Sequence, residues 1–317
     1  KGHAAMDITD LGADLGNELE VAIFSYNRPA YLKNCVVSVQ RHIPKARLRI
    51  FDDNSDDPNL IAYLATLPDG MVIQPDQHSG TTRHGGLYPN MQRAFDTATS
   101  RYLLMLQDDT QVVRAMDHSD FGAIDAVFAG DPNCAFLAVT FLRGARAKRY
   151  HRLLAPDPER GVYDTPSRPD QPDYANRIAY FDISLWHVER LRTAQWKIQN
   201  SEHDNVLQAR KMFSTMPQLA APFVFHLPEV PIYRHRTQTL AARLARRIVG
   251  TDPKRFIPMT TTEVTALKTR DLSHWPMAED FLTCENPKVR RPFVYKDVKR
   301  LWWLALLSKL EFKLRGR

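Results

Sequence analysis

The chain has 317 residues, 44% of them hydrophobic and 25% charged, enough to bury one large core or two modest ones and too apolar for a wholly disordered protein. Its formal charge of +7 points to anionic partners, such as nucleotide phosphates or anionic lipid, without choosing among them. Three cysteines, Cys35, Cys134 and Cys284, are too few and too scattered for a zinc site or a disulfide framework and read as small apolar residues of a reducing compartment; no run approaches the ~18 apolar residues of a membrane span, and no signal peptide is visible.

Residues 1–18 open on Lys1-Gly2-His3-Ala4, which reads as a tag scar or trimmed terminus, and continue without periodicity as a tail or linker. Leu19 to Phe24 reads as the first strand and Ser25-Tyr26-Asn27-Arg28-Pro29 as the loop leaving it. Pro29 suits the start of a helix, where its missing N–H would be unpaired in any case. Leu32, Cys35, Val36 and Val39 follow at i, i+3, i+4 and i+7, an apolar stripe that must face a sheet. Leu48 to Phe51 makes a second strand running into Asp52-Asp53-Asn54-Ser55-Asp56-Asp57. Pro58 opens a short helix with Leu60, Ile61 and Leu64, and Met71 to Ile73 reads as a third strand. Alternating strands and helices predict a parallel or mostly parallel sheet with helices on its faces.

Between Pro75 and Asn90 lies a glycine-rich polar loop. Its Gly80 and Gly85 have phosphate-loop spacing, but Gly86-Leu87 stand where Lys and Ser/Thr should be, so a phosphate loop is rejected and Arg83 and His84 stay as candidate phosphate contacts. A helix over Pro89 to Thr99 with Asn90, Ala94 and Ala98 on one face leads into Tyr102-Leu103-Leu104-Met105-Leu106, a run that reads as a strand buried on both faces. It ends in Gln107-Asp108-Asp109. Carboxylates cannot stay in that core, so they belong on the rim at the carboxyl end of the sheet, where open α/β folds bind ligands and where oxygen donors can hold a hard divalent cation. Two strands thus end in acids on one rim.

Ser119 or Asp120 can cap the next helix, which carries Phe121, Ile124 and Phe128, and Ala135 to Phe141 is a further strand. From Arg143 to Asn176 basic residues and then prolines predict a long loop, either functional or a solvated basic segment without a role. Ile178 to Ile183 resumes apolar structure, and Trp186 to Leu191 reads as a short helix. Ser201 is a good N-cap for the segment Ser201-Glu202-His203-Asp204, and helix-dipole stabilisation alone could account for both acids. Phe223 to Phe225 and Val230 to Tyr233 read as closing strands. Beyond Leu240 basic stretches alternate with a Thr260-Thr261-Thr262 loop. The last segment, Val298 to Leu314, mixes Trp and Leu with Lys and Arg: it could lie on an anionic membrane or dock on its own domain or a second subunit, and apolar residues on more than one face favour docking.

The succession VAIFSYNRPAYLKNCVVSV, RIFDDNSDD and NMQRAFDTATSRYLLMLQDD, within residues 19 to 112, resembles the nucleotide-sugar half of GT-A fold glycosyltransferases, family 2 in particular. The resemblance implies a Rossmann-like mixed, mostly parallel sheet flanked by helices over residues 19–240, followed by a basic, mainly helical extension over 241–317. It further implies that Ser25, Tyr26 and Arg28 border the nucleotide and that Asp52 accepts from its base. Asp108 would reach the ribose or metal-bound water, and Asp109 would bind the metal bridging the diphosphate. The later Arg234-His235-Arg236 is similar to the segment where a His completes the metal shell and basic residues hold the diphosphate, giving His235, with His226 behind it, and Arg236; a His ligand suits Mn2+ more than Mg2+. The Glu202–Asp204 segment is similar to the one whose Asp takes the acceptor's proton, with Asp204 first and Glu202 second. Here Gln107 replaces the first acid of the motif and His78-Ser79-Gly80 replaces Asn-x-Gly.

The same resemblance implies a cytoplasmic transferase, free or peripheral on the inner face of a membrane. It would move sugar from a nucleotide-diphosphate sugar, UDP foremost, to a glycan or lipid-linked acceptor, with no nucleic-acid partner and with self-association left open. Two rivals stand beside it. A sugar nucleotidyltransferase would want glycine in the Ser25–Pro29 loop, which has none; a degenerate domain that only binds membrane or polyanion would show no turnover.

Overall fold

The computed structural model describes residues 18–75, 86–164, 182–213, 216–230, 240–289, 291–295 and 301–314. β1 (Leu19–Ser25) is buried along its length and pairs in parallel with β2 (Arg47–Asp52) on one side and β4 (Tyr102–Gln107) on the other. A strand flanked on both edges, with helices over its faces, needs apolar residues at consecutive positions rather than at alternate ones. The helix α1 (Pro29–His42) joins β1 to β2 and lays Leu32, Cys35, Val36 and Val39 into the core, each fully buried apolar side chain contributing roughly 1.5–3 kcal/mol. α2 (Pro58–Leu64), capped by Asp57, leads to β3 (Val72–Ile73), which adds to β2 in parallel. α3 (Leu87–Asp96) begins two residues earlier than the sequence pattern suggests and ends three earlier, after Gly86 donates its N–H to Asp53 Oδ2 at 2.8 Å.

Beyond β4 the chain turns through Asp108 and Asp109 into β5 (Thr110–Val112), then α4 (His118–Gly130) and β6 (Phe136–Ala138). The cap of α4 is Asp117, not Ser119 or Asp120: its carboxylate accepts from the N–H groups of Ser119 and Asp120, while Asp120 reaches back to the Asp117 N–H. The stretch expected as a loop from Arg143 holds regular structure as far as it is described: a 3-10 turn (Gly144–Arg146), α5 (Ala147–Leu153), and a hairpin of β7 (Ala155–Asp157) and β8 (Val162–Asp164). Tyr150 and Leu153 anchor α5 in an apolar cluster with Tyr163 and Met277, contacts that a seven-residue basic helix does not announce in its own pattern.

β9 (Ser184–His187) runs antiparallel between β4 and β6, so Trp186 belongs to a strand rather than to the helix, which is α6 (Val188–Thr193). α7 (Glu202–Met212) and β10 (Gln218–Leu219) follow, and β11 (Val224–His226) pairs with β5 in a separate two-stranded ribbon. The main sheet has the order β3-β2-β1-β4-β9-β6-β10-β8-β7, with β9 and β8 opposed to the rest. It is the mixed, mostly parallel, helix-flanked sheet that the resemblance implies.

The C-terminal part contributes α8 (Leu240–Val249), α9 (Thr261–Thr269), α10 (Ala278–Phe281) and α11 (Trp302–Leu314). The three threonines expected as a loop instead start α9: Thr260 and Glu263 form a reciprocal cap. Residues 256–282 share a core with the sheet domain, Phe256, Met259 and Leu267 packing with Tyr31, Val113 and Phe225. Gln111 fixes this junction, its side-chain amide exchanging hydrogen bonds with Phe256 N and O at 3.0 and 2.7 Å.

Candidate active site

β1, β2 and β4 are parallel neighbours, so Ser25, Asp52 and Gln107 all end on one rim. The chain moves from β1 outward to β2 and β3 and then returns to the other side at β4, which places the topological switch point between β1 and β4. The loops leaving those two strands meet there. Asn27 takes a left-handed φ of 50°, and its side-chain oxygen accepts from Asp56 N and Asp57 N at 2.9 and 3.0 Å, tying the β1 loop to the β2 loop. That turn aims Arg28 across the switch point.

The Arg28 guanidinium bridges both acids. Nε donates to Asp108 Oδ2 at 3.0 Å, Nη2 pairs with Asp108 Oδ1, and Nη1 meets Asp109 Oδ2 at 3.3 Å. Asp108 and Asp109 are 0% and 1% exposed, so three charges sit where water reaches only the edge of Arg28. Burial pushes the Asp108 carboxyl up; Arg28 and the Tyr26 backbone N–H oppose it, and the neighbouring Asp109 charge adds to it. For Arg28 burial acts to lower the pKa, and the two carboxylates more than offset it. Tyr295, from the C-terminal part, donates its hydroxyl to Asp109 Oδ2 at 3.1 Å, and Leu227 N donates to the Asp109 carbonyl at 2.8 Å.

At the end of β2 Asp52 is buried, with Oδ2 accepting from Ser55 N at 2.8 Å and Oδ1 from Ser55 Oγ at 2.6 Å. Burial raises its pKa against these donors and those of Gln74 and Ser25. Ser25 is buried at its side and Tyr26 half-buried. The structure therefore brings Ser25, Tyr26, Arg28, Asp52, Asp108 and Asp109 to one rim. Arg83, His84, His235 and Arg236 lie outside the described residues.

On the other side of β4, Asp182 lies two residues before β9, and the Gln107 amide donates to its carboxylate. Asp182 is a site residue that the sequence pattern alone does not single out. Burial, then repulsion from Glu202 and Asp109, pushes its carboxyl up, with Gln107 opposing. Glu202 is solvent-exposed at the first turn of α7, yet protein packed around its carboxyl raises its pKa, and Arg146 pulls it back. Asp204 has a local partner instead: Ser201 Oγ donates to its Oδ2 at 2.6 Å and accepts from its N–H at 3.1 Å. Of the two acids at this helix start, Glu202 is the one whose charge acts on Asp182.

His226 follows the β11–β5 ribbon, one register step from Asp109, with its ring 5.6 Å from that of Tyr295. Burial, with Arg143 adding, lowers its pKa to about 4, so it is neutral at physiological pH. A metal would find one open feature here, the buried Asp109 Oδ1, which takes no hydrogen bond from the described residues. Against this, Arg28 already faces both carboxylates, and no group of three or more His, Cys, Asp or Glu among the described residues lies close enough to hold an ion. The donor set thus fits a divalent ion in part, through Asp109.

No protein-family model and no curated protein matches the chain. Among solved structures, S. aureus TarS 1–349 is 13% identical with a TM-score of 0.45 over 66% of this chain and 60% of that one, so this chain aligns with less than two thirds of it. Glucosyl-3-phosphoglycerate synthase from Mycobacterium tuberculosis, in complex with Mn2+ and UDP-glucose, is 14% identical with a TM-score of 0.40 over 81% of this chain and 90% of that one. A mycobacterial protein gives 14% and 0.41 over 79% and 78%. With TM-scores below 0.5, the strand order above remains the ground for the fold.

Proposed function

We propose that the chain is a glycosyltransferase that moves a sugar from a nucleotide-diphosphate sugar, UDP-linked by preference, to an acceptor hydroxyl with inversion. One observation carries this reading: two adjacent buried carboxylates, faced by a single arginine, at the switch point of an open sheet. Asp52, Ser25 and Tyr26 would hold the nucleoside, Asp108 the ribose, and Arg28 the diphosphate, with Arg83 and Arg236 completing the anion contacts.

Direct displacement needs a base for the acceptor hydroxyl and charge stabilisation for the leaving group. The hydroxyl proton would pass to a carboxylate at the start of α7 as its oxygen bonds to the anomeric carbon and the diphosphate departs. Glu202, whose charge acts on Asp182, is preferred over Asp204, whose carboxylate is held by Ser201. Arg28 would turn from the acids to the diphosphate and follow its growing negative charge. Asp109, through Oδ1, and His235 would hold Mn2+. When bound, such an ion neutralises charge on the leaving diphosphate.

A panel of nucleotide sugars assayed for Mn2+-dependent hydrolysis and transfer, with Asp109→Ala, Glu202→Gln and Asp204→Ala alongside, tests the reading. The expected result is one preferred donor, no donor binding in Asp109→Ala, and donor binding without transfer in Glu202→Gln. Turnover of sugar-1-phosphate with a nucleoside triphosphate, or normal donor affinity in Asp109→Ala, would replace it.

A further inference from the structure

α8 and α11, distant in sequence, pack as a helix pair with its own small core, in which Ala241, Ala245 and Leu304 are buried and Leu244, Leu301 and Leu307 pack around them. The two alanines let the helix backbones come close. Glu311 turns inward at the start of α8, its carboxylate accepting from Leu240 N and Ala241 N at 2.7 and 3.0 Å. Burying one apolar face leaves a second one open. Trp302, Leu306, Leu310 and Leu314 recur at every fourth position of α11 and so share a face, with Trp303 beside it. All five are exposed, Trp302 at 75% and Leu314 at 86%.

The charges of the two helices are almost all of one sign. The pair carries Arg243, Arg246, Arg247, Lys309 and Lys313 against the single acid Glu311, whose carboxylate is engaged by backbone N–H groups. Arg243, Arg247, Lys309 and Lys313 are exposed, and the helical spacing puts Lys309 and Lys313 along one edge of the Trp–Leu stripe. A second copy docked through this face would set like charges against like with no free acid to answer them, whereas lipid phosphates would. Trp beside Leu, bordered by long basic side chains, is also the composition of a helix lying in a headgroup layer.

We propose that the α8–α11 helix pair seats the protein on an anionic lipid bilayer, with Trp302, Leu306, Leu310 and Leu314 entering the boundary between headgroups and acyl chains and the four exposed cations meeting lipid phosphates. The attachment is peripheral: no helix among the described residues is long and apolar enough to cross a membrane. It goes beyond the transferase reading and does not depend on it.

Sedimentation of the full chain with phosphatidylcholine vesicles, alone or with phosphatidylglycerol, tests the proposal. The expected result is binding to the anionic vesicles only and release by high salt. Leu306→Glu with Leu310→Glu should abolish binding. Lys309→Gln with Lys313→Gln should weaken it by roughly fivefold per cation. Unchanged circular dichroism and melting in both variants would confirm that folding is intact. Absence of binding, equal binding to neutral vesicles, or a concentration-dependent dimer that Leu306→Glu dissolves would overturn the proposal.

Discussion

Only four residues of the chain lie between Asp109 and Arg114, which belong to two buried arginine–aspartate clusters of opposite design. Arg114 is 0% exposed and uses all five of its N–H donors: Nε on Pro222 O, Nη1 on Ala115 O and Asp120 Oδ2, Nη2 on Asp120 Oδ1 and Ala221 O, all between 2.6 and 3.0 Å. Asp120 accepts in addition from Asp117 N and Lys268 Nζ, both at 2.9 Å. Two cations, Arg114 and Lys268, meet two anions there, Asp120 and Asp117, and the Arg114–Asp120 pair ties the start of α4 to residues 221–222. At the β4 rim one cation meets two anions, and Asp109 Oδ1 has no hydrogen bond from the described residues. A surplus of buried negative charge does not help folding. On the proposed reading its place at the switch point gives it a use: it would release Arg28 to a ligand and accept a cation in return.

Breaking the site side should cost the most activity. Glu202→Gln should lower kcat by about a hundred- to ten-thousand-fold, the usual yield of a positioned base, with donor affinity unchanged. Because its surroundings raise Glu202, the rate of the parent enzyme should climb with pH through an apparent pKa above the ordinary glutamate value of about 4.3, and the Gln variant should lose that limb. Asp204→Ala should cost less than about tenfold if Ser201 is its main partner. A pH–rate profile for each variant checks the assignment.

Breaking the structural side should cost stability instead. Arg114→Met leaves Asp120 buried with only Lys268 as a charge partner, and urea unfolding should show a loss of about 3–5 kcal/mol with activity per folded molecule preserved. Asp182→Asn sharpens the contrast from the other direction. Burial and its acidic neighbours raise the folded pKa of Asp182 above the unfolded value, so its contribution to stability is present below about pH 3.9 and is lost as pH rises through the folded pKa. The neutral Asn variant should therefore be more stable than the parent at pH 7, on the order of 1 kcal/mol, and equal to it in acid. The smallest effect is expected at Ser201→Ala, where loss of the α7 cap should cost about 1 kcal/mol in thermal unfolding.

Most of the rim is legible in the sequence because a strand buried on both faces appears as a continuous apolar run, and an acid at its end has to leave the core. That is why Asp52, Asp108 and Asp109 are visible one by one. Asp182 is not, although it sits inside the apolar stretch Ile178 to Trp186, where an embedded acid is itself a signal; its meaning depends on a hydrogen bond from Gln107 that arises only because β9 packs beside β4. The same strand claims Trp186, whose neighbours Val188 and Leu191 lend the stretch a helical period. The order of preference between Asp204 and Glu202 turns on which way a first-turn side chain points. The sequence shows a good cap at Ser201 but not which acid it would hold. The inward turn of Glu311, which leaves the α11 face uniformly basic, is likewise a matter of packing rather than of composition.

The central claim is that Asp109 is held for a ligand and not for the fold. The most direct measurement is the melting temperature of the parent chain and of Asp109→Asn, each with and without UDP and Mn2+. The expected result is a ligand-free melting temperature in Asp109→Asn equal to or above that of the parent, because one of two buried charges facing a single arginine is gone, together with loss of the upward shift that the ligands give the parent. A variant that melts early, as Arg114→Met should, or one that keeps the full ligand shift, would contradict it.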